Sequence, residues 1–300
     1  MPANTVRRAS PARNDWGALL LLLSMPFVAG VCVISVQIYL GEGVKPLTVV
    51  MVAALALFIY ALNGLSDGAE DAINDERRAA TLRANAWWTL GVSSLAVVVA
   101  GVLLLLRGRL HLLYPILMLV GVAYSFRVIP AFSGSGLRRF RLKDVPFVKN
   151  LSIGCTWAGA VFLGPLLDTE GTRHSFGRLA ILGASYAIIA VENSMFCDLR
   201  DELGDREAGV RTVVGYLGRS RTFTAIFVSN LLWSTLVGTS FAFAIVNGAT
   251  AAFLTVLAIG YPFAVWLATE RFAVRRGVAN GIIESSAVIF ALGLVVLGLC

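Results

Sequence analysis

Apolar residues dominate this chain in runs about twenty residues long, parted by short polar stretches. The runs lie near residues 17–40, 47–66, 86–106, 110–126, 147–167, 178–197, 222–246, 249–268 and 279–300. Each suits the ~20 residues an α-helix needs to cross the hydrocarbon core of a bilayer. No segment shows the alternation over about ten residues that marks a transmembrane β-strand. The pattern predicts an all-α, multi-spanning membrane bundle of about nine helices. It forms a single domain over residues 1–300, with a polar N-terminal tail at 1–14. The first apolar run reads as a retained span, because a cleaved signal peptide has a shorter apolar core and a small-residue cleavage site.

Composition agrees and narrows the class. The chain is 57% hydrophobic and 14% charged, with a mean hydropathy of +0.78. Soluble domains carry about 25% charged residues, so there is too little polar surface here to face water. A disordered chain, a disulfide-rich module and a collagen-like fibre are excluded as well. The net charge of +7 would admit a nucleic-acid partner, but the basic residues are sorted by loop. With the N-terminus inside, alternating loops place 20 of the 25 Lys and Arg on the inner side. The outer side holds Lys45, Arg107, Arg109, Arg173 and Arg178. This is a positive-inside bias, so the expected partner is the lipid bilayer and not nucleic acid. Cys32, Cys155, Cys197 and Cys300 all fall in apolar segments without metal-ligand spacing and are read as packing residues.

The acids are more unevenly spread than the bases. Asp67, Glu70, Asp71, Asp75 and Glu76 follow the second run; Asp198, Asp201, Glu202, Asp205 and Glu207 follow the sixth. Both groups fall on the inner side, four spans apart. Asn63, Asp67, Asp71 and Asp75 recur every four residues, and Asp198, Asp201 and Asp205 at i, i+3 and i+7. Either spacing stacks the side chains on one helix face. Like charges stacked this way cost a few tenths of a kcal/mol per pair, so something must compensate them. Carboxylates without His or Cys neighbours favour hard cations such as Mg²⁺, which is commonly shared with substrate phosphates. Two such patches around one cavity could clamp a diphosphate. A solvated helix end balanced by nearby arginines would explain one patch more readily than two at equivalent ends.

At these residues the sequence resembles the UbiA superfamily of membrane prenyltransferases. The family's first motif, Asn-x-x-x-Asp-x-x-x-Asp, is met by Asn63, Asp67 and Asp71, and its second, Asp-x-x-x-Asp, by Asp201 and Asp205. The stretch from Asp198 to Thr212 is similar to the family's second loop almost throughout. The resemblance implies nine helices with both motifs on the cytoplasmic side. It also implies Mg²⁺ held by Asp67, Asp71, Asp201 and Asp205, acting on an isoprenyl diphosphate whose tail lies in the bundle. Asn63 would ligate a metal or orient a phosphate, and Asp198 would belong to the substrate-binding set. Lys149 is the first choice for offsetting the leaving group's charge, followed by Arg127, Arg78 and Arg211; Tyr124, Phe147 and Trp157 could face the developing cation.

The sequence departs from the family where acceptors are read. Residues 76–83 hold no proline where an Arg-Pro-Leu segment is common, and the fourth residue after Tyr124 is Val128, not a lysine. Cys197 stands four before Asp201, at an often polar position. The reaction is therefore expected to be prenyl transfer to a lipophilic, possibly aromatic acceptor, with terpene cyclisation without an acceptor as the alternative. Glu192 and Glu284 lie within spans, where acids are usually functional, and they keep a transporter in view. The same-side, helix-end motifs argue against it, and Glu192 is expected to bond a neighbouring helix. The loops at 127–146 and 206–221 are placed to cap the site, with a Gly-Ser run at 133–136.

Overall fold

The computed structural model describes residues 16–66, 76–133, 136–169, 174–207, 209–272 and 276–299. Within these the chain is a helical bundle of α1 (Trp16–Tyr39), α2 (Pro46–Ser66), α3 (Glu76–Leu106), α4 (Leu113–Ser125), α5 (Val148–Leu167), α6 (Phe176–Glu207), α7 (Val213–Leu217), α8 (Arg219–Ala242), α9 (Gly248–Arg271) and α10 (Arg276–Leu299). Each predicted run overlaps one of these helices, with ends that differ by up to a few residues except at the start of α3 and the end of α6. Among the described residues seven helices are long and apolar enough to cross a membrane, and Leu23–Tyr39 and Leu113–Ser125 are shorter apolar helices. The chain is an integral, multi-pass membrane protein. Val98, Leu105, Leu232, Val256 and Leu292 are exposed around its outside. Such a surface is tolerable against lipid and would be an aggregation hazard in water. The core between the helices is closed by Val33, Val36, Leu55, Leu182, Phe290 and Leu294.

Three details differ from the hydrophobic pattern. Helix α6 runs ten residues past the apolar run, to Glu207: no proline intervenes, Gly204 stays helical within it, and the left-handed turn comes only at Gly209, φ 71°. Helix α3 begins at Glu76, ten residues ahead of its run. The loop after α4 holds an antiparallel hairpin, β1 (Ile129–Ser133) and β2 (Gly136–Phe140), paired from Ile129↔Phe140 to Ser133↔Gly136. Too short for a span, this hairpin left no period-two signal among the helical runs.

One close approach positions the site. Gly154 of α5 lies so near α6 that a Cβ there would stand 2.8 Å from the Ala187 carbonyl oxygen and overlap Val191. Small residues at such contacts let membrane helices approach closely. The same packing brings the start of α5 against the last turns of α6. At the other end of the bundle Asp168, 5% exposed, ties three segments together. It takes Thr48 Oγ1 at 2.5 Å on its carboxylate, and its carbonyl receives Lys45 Nζ at 2.5 Å and Arg109 Nη1 at 2.9 Å.

Candidate active site

The last turns of α6 carry Asp198, Asp201, Glu202, Asp205 and Glu207 on a helix C-terminus, where the macrodipole already places partial negative charge. The fold answers with cations from α5 and α8 and with one from α6 itself. Lys149 Nζ meets Asp198 Oδ1 at 2.5 Å, an ion pair with side chains 15% and 3% exposed. Arg200 grips Asp201 with both nitrogens, Nε to Oδ1 at 3.0 Å and Nη2 to Oδ2 at 2.6 Å. Arg219, at the first turn of α8, donates to the Leu199 carbonyl at 2.8 Å, to Glu202 at 3.4 Å and to Glu270 of α9 at 2.6 Å. Removing these cations would leave stacked like charges at a negative helix end, so they are part of what lets α6 extend this far.

Asn150 completes the centre of the site. It is 2% exposed, and its Nδ2 donates to Ser194 Oγ at 2.9 Å and to Asp198 Oδ2 at 3.1 Å. Both carboxylate oxygens of Asp198 are thus bonded to protein donors. The residue expected to bind substrate is turned inward as the counterion of Lys149. Tyr124 and Asp205 act electrostatically on the same ammonium. Just before α5, Phe147 adopts φ 64°, an uncommon conformation for a bulky side chain, two residues from Lys149.

The other expected residues are distributed as follows. Asn63 sits in the last turn of α2, and its Oδ1 is buried without a hydrogen-bond partner among the described residues. Asp67 and Asp71 lie outside the described residues, as does the side chain of Arg78. Arg127, 69% exposed, stands 3.7 Å from Asp144 and not against the Lys149 group. Arg211 is exposed. Asp144 caps the turn Leu142–Asp144 by accepting from the backbone and side chain of Arg141 at 3.0 and 2.9 Å. Burial would raise its pKa, but these bonds and the charges of Arg141 and Arg127 outweigh it and hold the carboxyl below its ordinary value. Glu192 accepts from Asn230 Nδ2 of α8 at 2.5 Å, the neighbouring-helix bond that was expected. Trp157 packs partly buried against the core.

Asn150, Ser194, Arg200 and Arg219 were missed by sequence reasoning. Asn150 carried a faint signal, since it directly follows the lysine singled out at the mouth of α5. Among the described residues no three His, Cys, Asp or Glu side chains converge as a metal site; the first-motif acids are not among them. The described candidates, Asp205, the Asn63 Oδ1 that has no partner among the described residues, and Asp201, both of whose oxygens Arg200 holds here, are all oxygen donors, which suits a hard divalent cation.

The profile of the UbiA prenyltransferase family matches residues 23–280. No curated protein matches the chain. Its fold is similar to that of a UbiA homologue from Archaeoglobus fulgidus bound to GPP and Mg²⁺, at 13% identity and TM-score 0.64, covering 94% of this chain and 100% of that one. It is also similar to an apo UbiA homologue from Aeropyrum pernix K1, at 15% identity and TM-score 0.63, covering 92% and 98%. A third likeness is to a structure described as digeranylgeranylglyceryl phosphate synthase in membranes, at 14% identity and TM-score 0.58, covering 94% and 96%. At such identities these likenesses speak for the fold.

Proposed function

We propose, from the premise that this chain belongs to the UbiA prenyltransferase family, that it is a Mg²⁺-dependent intramembrane prenyltransferase. It ionises an isoprenyl diphosphate and passes the prenyl group to a lipophilic acceptor, releasing diphosphate. The observation that carries this reading is the Lys149 ammonium, fixed at 2.5 Å on Asp198 beside a helix face bearing Asp201 and Asp205. A buried cation next to metal-type carboxylates, at the end of an apolar bundle, suits a headgroup of high negative charge on a hydrocarbon tail.

Asn63, Asp67, Asp71, Asp201 and Asp205 would hold the metal. Mg²⁺, when bound, neutralises the diphosphate and makes it a better leaving group. Lys149 meets the remaining charge, and Arg127, Arg78 and Arg211 supply the basic surround through which the headgroup arrives. The allylic C–O bond breaks with its electron pair leaving on the diphosphate. The acceptor's electron pair closes the new bond to the prenyl carbon, and the acceptor gives up a proton. The apolar helices keep water from quenching the cation, and Tyr124, near Lys149, can offer it a π face. The site lies on the cytoplasmic side, as the basic inner loops favour.

A second reading is a terpene cyclase, favoured by Val128 and Cys197 standing where acceptor-type members carry polar groups. The same-side, helix-end motifs argue against a transporter, and Glu192, one of the two acids that suggested it, is bonded to Asn230 through one oxygen. Incubation of the purified chain with farnesyl or geranylgeranyl diphosphate, with and without aromatic acceptors, tests the choice. Mg²⁺-dependent release of diphosphate that requires an acceptor, and is lost on Asp201→Ala, is expected. A cyclic hydrocarbon or alcohol formed without acceptor would select the cyclase.

A further inference from the structure

Helices α8 and α9 leave a groove of about 340 Å³ between them, the scale of a small-ligand pocket. Its rim is polar and its floor aromatic. Arg219 and Ser220, in the first turn of α8, and Glu270, in the last turn of α9, form the rim. Phe223, Phe227 and Trp266 line the groove one to two turns deeper, roughly 6–12 Å along the helix axes. Both helices are long and apolar enough to cross a membrane. Val228, next to Phe227 in the chain, and Phe263, stacked on Trp266 at 5.8 Å, are exposed, so the aromatic part opens toward lipid. The charged groups of the rim keep bonding positions to spare. Arg219 gives Nε to Glu270 Oε1 at 2.6 Å and Nη1 to the Leu199 carbonyl and Glu202. Its Nη2, Glu270 Oε2 and the Ser220 hydroxyl have no partner among the described residues.

We propose that this groove binds one phospholipid with a phosphoethanolamine headgroup. A rim with one group of each sign is complementary to a headgroup that carries both. A purely anionic headgroup would meet the Glu270 carboxylate, and a purely cationic one the Arg219 guanidinium. The phosphate offers oxygens to Arg219 Nη2 and the Ser220 hydroxyl, and guanidinium suits phosphate geometry. The primary ammonium, two carbons away, offers N–H donors to Glu270 Oε2; a quaternary ammonium has none to give. The acyl chains run down over Phe223, Phe227 and Trp266, and tryptophan favours the depth of the headgroups. Because Arg219 also holds the Leu199 carbonyl and Glu202, the lipid rests on the residue that ties the acidic end of α6 to α8 and α9. The site is separate from the diphosphate reading and does not depend on it.

The test is native mass spectrometry of the full chain from mixed micelles holding equal amounts of phosphatidylethanolamine, phosphatidylcholine and phosphatidylglycerol with matched acyl chains. Wild type should retain one ethanolamine lipid about tenfold over either competitor, the scale of one charge-assisted hydrogen bond. Glu270→Gln keeps an oxygen for Arg219 and removes the charge, so the preference over the glycerol lipid should vanish. Ser220→Ala removes a hydroxyl that bonds nothing in the protein, and should lower retention of the ethanolamine lipid severalfold. The competition on wild type needs no variant and stands if either one fails to fold. Equal retention of the three lipids, retention of another lipid above the ethanolamine one, or a preference unchanged in Glu270→Gln overturns the proposal. So does displacement by an equal concentration of water-soluble glycerophosphoethanolamine, since the aromatic floor would then contribute nothing. A lipid-free dimer also overturns it, by giving the groove to a second copy of the chain.

Discussion

Gly154 ties the packing of the bundle to the geometry of the site. A Cβ at this position would lie 2.8 Å from the Ala187 carbonyl oxygen, where ordinary contact begins at 3.4 Å. Alanine must therefore push α5 and α6 apart locally by about 0.6 Å, and the overlap with Val191 adds to this. Lys149 and Asn150 lie about one turn away, roughly 6–7.5 Å along the axis at 1.5 Å per residue, so most of the shift reaches them. The Asn150 bonds to Ser194 and Asp198, now 2.9 and 3.1 Å, would lengthen to about 3.5 and 3.7 Å, beyond hydrogen-bond range. The lysine can follow on its longer stem. Displacements approaching 1 Å cost up to about a hundredfold in rate, so kcat/KM should fall roughly tenfold to a hundredfold. The strain in the fold, about 1–3 kcal/mol, is partly offset by alanine's helix preference of about 1 kcal/mol, so the variant should remain extractable. Gly101→Ala is the control, because nothing lies within 4 Å of a Cβ there. The assay is the initial rate of diphosphate release from a prenyl diphosphate, with a thermal melt in detergent for each protein. Full activity in Gly154→Ala, or an equal loss in Gly101→Ala, would refute the chain of reasoning from close approach to site geometry.

Glu192→Gln keeps the shape of a buried side chain already bonded to Asn230, so activity should stay near wild type. A loss of turnover without a shift in melting would instead make Glu192 part of the chemistry. Asp144 has a depressed pKa, so its stabilisation of the turn at 142–144 is complete above the ordinary carboxylate value of about 3.9. That stabilisation is lost as pH falls through the depressed value. Hydrogen exchange corrected for intrinsic rate should find the turn equally protected from neutral pH to about 5 and opening only in more acid solution. Asp144→Asn should open it at neutral pH, and a turn whose protection ignores both changes would remove Asp144 as its clamp.

The membrane class followed from the sequence because a run of twenty apolar residues has one inexpensive home, and because a helix satisfies its own backbone within that run. The acidic motif after the sixth run was legible for a related reason. Charges near a bilayer are costly, so those retained at regular helical spacing stand out. Asp198, Asp201 and Asp205 were picked out that way, as was Lys149 at the mouth of α5. What the spacing could not say is how these charges divide among themselves. That division is set by the approach of α5 to α6 at Gly154, which joins residues separated by more than forty positions in the chain. It decides that Asp198 serves the lysine and that Asn150, itself bonded to Ser194, holds Asp198, while the meeting of α8 and α9 with α6 decides the contacts of Arg219. Periodicity along one helix carries no information about which face a second helix meets. The donors and acceptors that complete the site were therefore decided by the tertiary structure alone.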